Sequence, residues 1–98
     1  MKKIILILGL SISAAFSHTA VMSCFDNGDN TITCEAGFSD GSSASGVKFE
    51  VHQDGKIIET KKFNDLGEAV FDKPKGDYEA VMNAGEGHQV TVKSSDIF

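Results

Sequence analysis

Turn signals recur so closely along this chain, with apolar residues alternating between them, that the sequence reads as a series of short antiparallel strands. Strand signals dominate and helix signals are nearly missing. Thr31–Phe38 alternates, with Ile32, Cys34, Ala36 and Phe38 on one face. Val47, Phe49 and Val51 alternate with Lys48, Glu50 and His52, and Gln53-Asp54-Gly55-Lys56 then reads as a tight hairpin turn. Ile57–Phe63 is the returning strand, ending at Asn64-Asp65-Leu66-Gly67. Ala69 and Phe71 mark a short inward-facing pair, closed by Lys73-Pro74-Lys75-Gly76-Asp77. Tyr78–Ala84 and Val90–Lys93 follow, separated by Gly85-Glu86-Gly87-His88. With Thr19–Phe25 as the first strand, the expectation is all-β: a seven-stranded antiparallel β-sandwich of immunoglobulin-like or transthyretin-like type.

Residues 1–17 read as an export signal: Lys2 and Lys3, an apolar run from Ile4 to Leu10, then the small-residue stretch Ser11–Ser17. Ala15 and Ser17 occupy the −3 and −1 places of a cleavage site, with Phe16 between them. The apolar run is too short for a stable span, and no later segment is apolar enough to cross a bilayer. Cutting after Ser17 leaves residues 18–98 as one small domain, exported to the periplasm or beyond, with His18 as its first residue. A competing lipoprotein reading at Val21-Met22-Ser23-Cys24 places the cut far beyond the apolar run and puts a bulky Met22 where a small residue is usual.

The leader carries two of the nine lysines, so the exported part is more acidic than the net −5 of the whole chain, and arginine is absent. Nucleic acids and anionic membranes are therefore poor partners; an acidic surface weakly favours cations. Two cysteines in an exported chain point to one disulfide. Cys24 and Cys34 flank Asp26-Asn27-Gly28-Asp29-Asn30, and a turn symmetric about Asp29 sets them face to face across a hairpin. A thiolate metal pair is the alternative.

Strand direction carries the reading further. If successive strands alternate in direction, the start of the first strand shares an end with the second–third, fourth–fifth and sixth–seventh connections. Those are the Asp40 loop, the Asp65 loop and the Gly85–His88 loop. His18 and His88 then fall at one end of the domain, and His52 with the Asp54 turn at the other.

Several strings resemble a known group. Phe38-Ser39-Asp40-Gly41, then Gly46-Val47-Lys48-Phe49-Glu50-Val51, Asp65-Leu66-Gly67-Glu68 and Ala84-Gly85-Glu86-Gly87-His88, together with a leading His18, are similar to motifs of small exported accessory proteins. Those proteins accompany nickel and cobalt energy-coupling-factor transporters (the NikL/CbiL-like group). The resemblance covers nearly all of residues 18–98. It implies a transthyretin-like or carboxypeptidase-regulatory-like sandwich and periplasmic support of metal uptake beside an inner-membrane transporter subunit. Departures from the pattern include the Cys24/Cys34 pair, Gln89 where a basic residue follows the histidine, Asp65-Leu66-Gly67, which is one residue shorter than the D-x-x-G turn of the group, and an expected end shortly after the last strand with no membrane anchor.

The chemistry can be stated independently of the group. An amino-terminal histidine offers an amine and a ring nitrogen that close one chelate ring, and both lose protons readily near neutral pH when a metal competes. His88 would add a third nitrogen, a set suited to Ni²⁺ or Cu²⁺, with cobalt a further alternative. Glycines beside Glu86 let that loop bend, and Glu86 or Asp40 could supply an oxygen ligand or orient a ring. Plainer readings stand beside this one: His18 as an ordinary first residue, and His88 and His52 as solvated side chains. Met22 and Met82 read as core, and Lys61/Lys62 and Lys73/Lys75 as solvated strand ends. No Ser/His/Asp order or phosphate-cradling Gly loop stands out in the sequence, so an enzyme is not expected; a histidine-brace copper enzyme is the weakest class. The alternative to a metal accessory is a non-catalytic structural or protein-interaction module of the cell envelope.

Overall fold

The computed structural model describes residues 19–98; the leader assigned to residues 1–17, and His18, lie outside the described residues. Seven strands follow one another: β1 (Ala20–Asp26), β2 (Thr31–Phe38), β3 (Lys48–Gln53), β4 (Lys56–Lys62), β5 (Glu68–Asp72), β6 (Glu79–Asn83) and β7 (Gln89–Lys93), with a 3₁₀ turn at Ser94–Asp96. They form two antiparallel sheets, ordered β1-β2-β5 and β4-β3-β6-β7. This is a β-sandwich, as the turn spacing predicts. Its strand order is that of an immunoglobulin-type Greek key whose fourth strand lies beside the third.

The alternation in the sequence becomes the core. Ile32 and Cys34 on β2, Phe49 and Val51 on β3, Ala69 and Phe71 on β5, and Ala80 and Met82 on β6 are buried between the sheets. Phe49 meets Phe63 edge to face at 5.4 Å and Phe71 at 5.4 Å, and Phe71 meets Tyr78 at 5.9 Å. Offset and edge-on pairs of this kind add about 0.5–1.5 kcal/mol each beyond the area they bury. Desolvation is the leading cause that raises the Tyr78 phenol above its ordinary pKa. Met82 is fully buried and Met22 packs at the core margin, in keeping with their reading as core residues.

The first hairpin turns about Asp29. Cys24 pairs with Cys34 and Asp26 with Ile32. Asp26 Oδ1 accepts the Gly28 N–H at 2.8 Å, Asp29 Oδ1 accepts the Thr31 N–H at 3.1 Å, and Gly28 takes the left-handed φ of 83°. That closure brings the two cysteines face to face, with Cα atoms 4.0 Å apart, and they form a disulfide buried in the core. The thiolate metal pair is thereby excluded. Beyond the disulfide, the Asp26 end of β1 is tied twice. Lys73 Nζ donates to Asp26 Oδ2 at 2.8 Å, and the Asp26 N–H donates to the Phe98 carbonyl. The lysine hydrogen bond, then the Gly28 N–H, hold the Asp26 carboxyl below its usual range, and the same partner raises Lys73.

Candidate functional site

Register shows which loops share an end. Ala20 at the start of β1 pairs with Phe38 at the end of β2. Lys48 at the start of β3 stands between Lys62 at the end of β4 and Asn83 at the end of β6, and Asn83 pairs with Gln89 at the start of β7. The connections 39–47, 63–67 and 84–88 therefore lie at one end with Thr19, as strand counting predicts. Cross-links join these loops. The Gly46 N–H donates to the Phe63 carbonyl at 2.9 Å, the Ala36 N–H to the Gly67 carbonyl at 2.8 Å, and Ser45 Oγ to Asp65 Oδ1 at 3.2 Å.

Thr19, the first described residue, is held there by a reciprocal pair. Its N–H donates to Ser39 Oγ at 2.9 Å, and the Ser39 N–H donates to the Thr19 carbonyl at 2.8 Å. Ser39 belongs to the Phe38-Ser39-Asp40-Gly41 turn, in which Asp40 Oδ1 accepts the Ser42 N–H at 3.0 Å and the Ser42 hydroxyl at 2.6 Å. That carboxylate thus organises its own loop.

The β6–β7 hairpin is equally specified by its residues. The Ala84 N–H donates to the His88 carbonyl at 3.0 Å, the His88 N–H to the Gly85 carbonyl at 2.9 Å, and the Gly85 N–H to Asn83 Oδ1 at 3.1 Å. Gly85 and Gly87 sit at φ 109° and 79°, a region that L-residues rarely adopt, so Glu86 rides between two glycines that only their lack of Cβ permits. Glu86 and His88 are both exposed.

Asp40, Glu86 and His88 thus share the loop end, but among the described residues no three His, Cys, Asp or Glu side chains converge as a metal-holding group. The ligand set inferred from sequence depends on His18, one residue before Thr19 and outside the described residues. No helix among the described residues is long and apolar enough to cross a membrane.

The other end holds what sequence reasoning missed. His52, read as a solvated residue beside Asp54, is half-buried and pairs through Nε2 with Glu50 Oε1 at 2.8 Å. Glu50 lies on the outer face of the four-stranded sheet yet is 6% exposed. Beside it a shallow groove of about 460 Å³ runs along His52, Asp54, Tyr78, Glu79 and Lys93. His52, Glu79 and Lys93 stand in cross-strand register on β3, β6 and β7. Alternation places Glu50 and His52 on one face; their contact needs the neighbouring strands. No family model matches this chain, and no curated protein or solved structure does either.

Proposed function

We propose that this chain is an exported metal-binding accessory protein that supports uptake of nickel, with cobalt or copper as alternative cargo. The metal would be held by the amine and ring nitrogen of His18, freed by cleavage after Ser17, and by His88. The observation that supports the reading is the reciprocal Thr19–Ser39 hydrogen-bond pair, which anchors the chain at the loop end that also carries the Ala84–His88 hairpin. His18 precedes Thr19 in sequence, and the proposed site uses that adjacency. Asp40 and Glu86 belong to the same loops, where either carboxylate could orient an imidazole or contribute an oxygen.

The chemistry of the donors fits cargo binding. An amine or imidazole binds metal only in its deprotonated form, so metal and protons compete for these donors and metal is released as pH falls. A partly open, solvent-facing site gives metal up to a transporter subunit more readily than a closed cage. The buried disulfide suits an oxidising compartment such as the periplasm.

Calorimetric titration of the exported protein with Ni²⁺ and Cu²⁺ tests the reading. One metal should bind per chain, and His88→Ala or a single extra residue before His18 should each weaken binding by at least about tenfold, the loss of one chelating nitrogen. Unchanged affinity in both variants would remove the ligand set and leave the non-catalytic envelope module, which tolerates both changes. Determining the amino terminus of the exported protein is the companion measurement, because a chain starting at Val21 lacks His18.

A further inference from the structure

The two sides of the sandwich are finished differently. On one side β1 packs against β7, and the Asp26 N–H donates to the Phe98 carbonyl. On the other side β4 and β5 are the outermost strands of their sheets, and among the described residues no strand pairs with either outer edge. Lys61 Nζ reaches across this side to the Val70 carbonyl at 2.5 Å.

Both open strands expose aliphatic side chains. Ile57 and Ile58 on β4 are 55% and 48% exposed, and Val70 on β5 is 45% exposed. The register shift in the β3–β4 pairing, where Val51 meets Glu59 but His52 meets Ile57, makes Ile58 an extra residue in β4. The charges of the two strands are opposite. β4 carries Lys56, Lys61 and Lys62 against one Glu59, whereas β5 carries Glu68 and Asp72 and no cation.

Lysines and a bulge ordinarily guard an edge strand against pairing. Here that guard discriminates. A second β4 would bring lysines against lysines, whereas β5 brings carboxylates to them. We propose that the open side is a self-association surface. Two copies join about a two-fold axis parallel to the strands, with β4 of each pairing antiparallel to β5 of the other.

The geometry of this arrangement follows from the fold. β4 ends and β5 begins at the same end of the domain, so the two run in opposite directions. A two-fold along the strands exchanges the levels of the two sheets but preserves heights along the strands. The Lys61–Val70 contact puts those residues at similar height, to within about one position along the strand. A pairing level at those two residues would oppose outward Lys62 to inward Ala69, so parity selects the adjacent register: Lys62 beside Glu68 of the partner subunit and Thr60 beside Val70 of the partner subunit, with the Ile57/Ile58 bulge near Asp72 of the partner subunit. Side-chain parity agrees: Thr60 and Lys62 on β4, and Val70 and Asp72 on β5, all point away from the core. The interface is isologous and closed, and it leaves no unpaired edge on that side of either copy. A two-fold perpendicular to the sheets would instead set β4 on β4 and β5 on β5, like charge on like. The proposed axis directs the loop ends of both copies the same way, and it stands whether or not those ends hold metal.

Sedimentation velocity over a concentration series, on the protein recovered after export, tests the proposal. A dimer is expected whose Kd weakens at least about tenfold between low and high salt. Lys62→Glu, and separately Glu68→Lys, should each give monomers, because each sets like charge on like twice in the isologous interface. The double variant, with both charges reversed, should dimerise again. Two results would overturn the proposal: a wild type that stays monomeric throughout, or a double variant no better than its parents. If a reversed variant fails to fold, amide exchange of the wild type decides. Protection of the Ile58–Thr60 and Ala69–Phe71 amides must rise with protein concentration; protection independent of concentration refutes the pairing.

Discussion

Reducing the Cys24–Cys34 bond tests how the sandwich is stabilised without changing the volume of the core. The bond joins residues ten apart in sequence, across a hairpin that the Asp26–Asn30 turn already shapes. In the chain-entropy account, closing a loop of about ten residues removes roughly 9 cal/mol/K from the unfolded ensemble, or about 2.7 kcal/mol at 25 °C. A domain of this size has a total stability of about 4–12 kcal/mol, so the bond is a large fraction of it. Both thiols remain in place after reduction, in a buried environment that tolerates them as small apolar groups. The expected loss is therefore mainly the loop term.

Urea unfolding of the oxidised protein and of the same protein held in phosphine reductant measures the difference. With a urea slope near the low end for small domains, the midpoint should fall by about 2 M. A double Cys24→Ala, Cys34→Ala variant should lose somewhat more, because two sulfur atoms leave a filled site. A shift below about 0.5 M on reduction would refute the reasoning. It would mean that the turn alone keeps the hairpin closed in the unfolded ensemble. Loss of cooperative unfolding altogether would refute it from the other side, by making the bond a condition for the core.

The Asp26–Lys73 pair should give a pH-dependent increment. Its folded carboxyl titrates below the ordinary range, so its contribution is present above the unfolded carboxylate pKa and is lost as pH falls through the lowered folded value. Lys73→Met should lower the urea midpoint near neutrality and converge with wild type in strong acid, and a difference that persists there would contradict the linkage. Gly67→Ala should cost about 2 kcal/mol or more, because φ is 74° and a Cβ would lie 2.7 Å from the Ala36 carbonyl oxygen; a thermal midpoint within about 2 °C of wild type would show that the loop adapts. Ser39→Ala should weaken nickel binding severalfold while costing about 1 kcal/mol or less of stability, since it removes one exposed acceptor for the Thr19 N–H. Equal loss of both would make Ser39 structural.

What the sequence made legible was whatever depends on nearest neighbours. The Cys24–Cys34 register follows from turn residues that make their own hydrogen bonds, so the centre at Asp29 could be read without the rest of the fold. The shared end of the 39–47, 63–67 and 84–88 connections needs only that strands alternate in direction. The burial of Glu50 was not legible, because its cross-strand neighbours Thr60 and Val81 come from β4 and β6 and depend on sheet order. The bulge at Ile58 was hidden too. Two adjacent isoleucines satisfy either parity, and the choice is made by pairing with β3.

β1 shows how these parts depend on one another. Among the described residues it is an edge strand whose one partner strand is β2, so strand pairing holds it from one side alone. The disulfide fixes its middle, and Lys73 and the Phe98 carbonyl hold its Asp26 end. Ser39 holds Thr19 at the other end. A strand pinned at its centre and both ends loses little further freedom when the residue before it takes up a ligand. In the proposed site that residue is His18, so the three anchors lower the ordering cost of metal binding, a cost that a loose terminus would meet in full. The disulfide that departs from the pattern of the resembling group thus has a physical place in the proposed chemistry. It restrains the strand that follows the proposed ligand His18 in sequence.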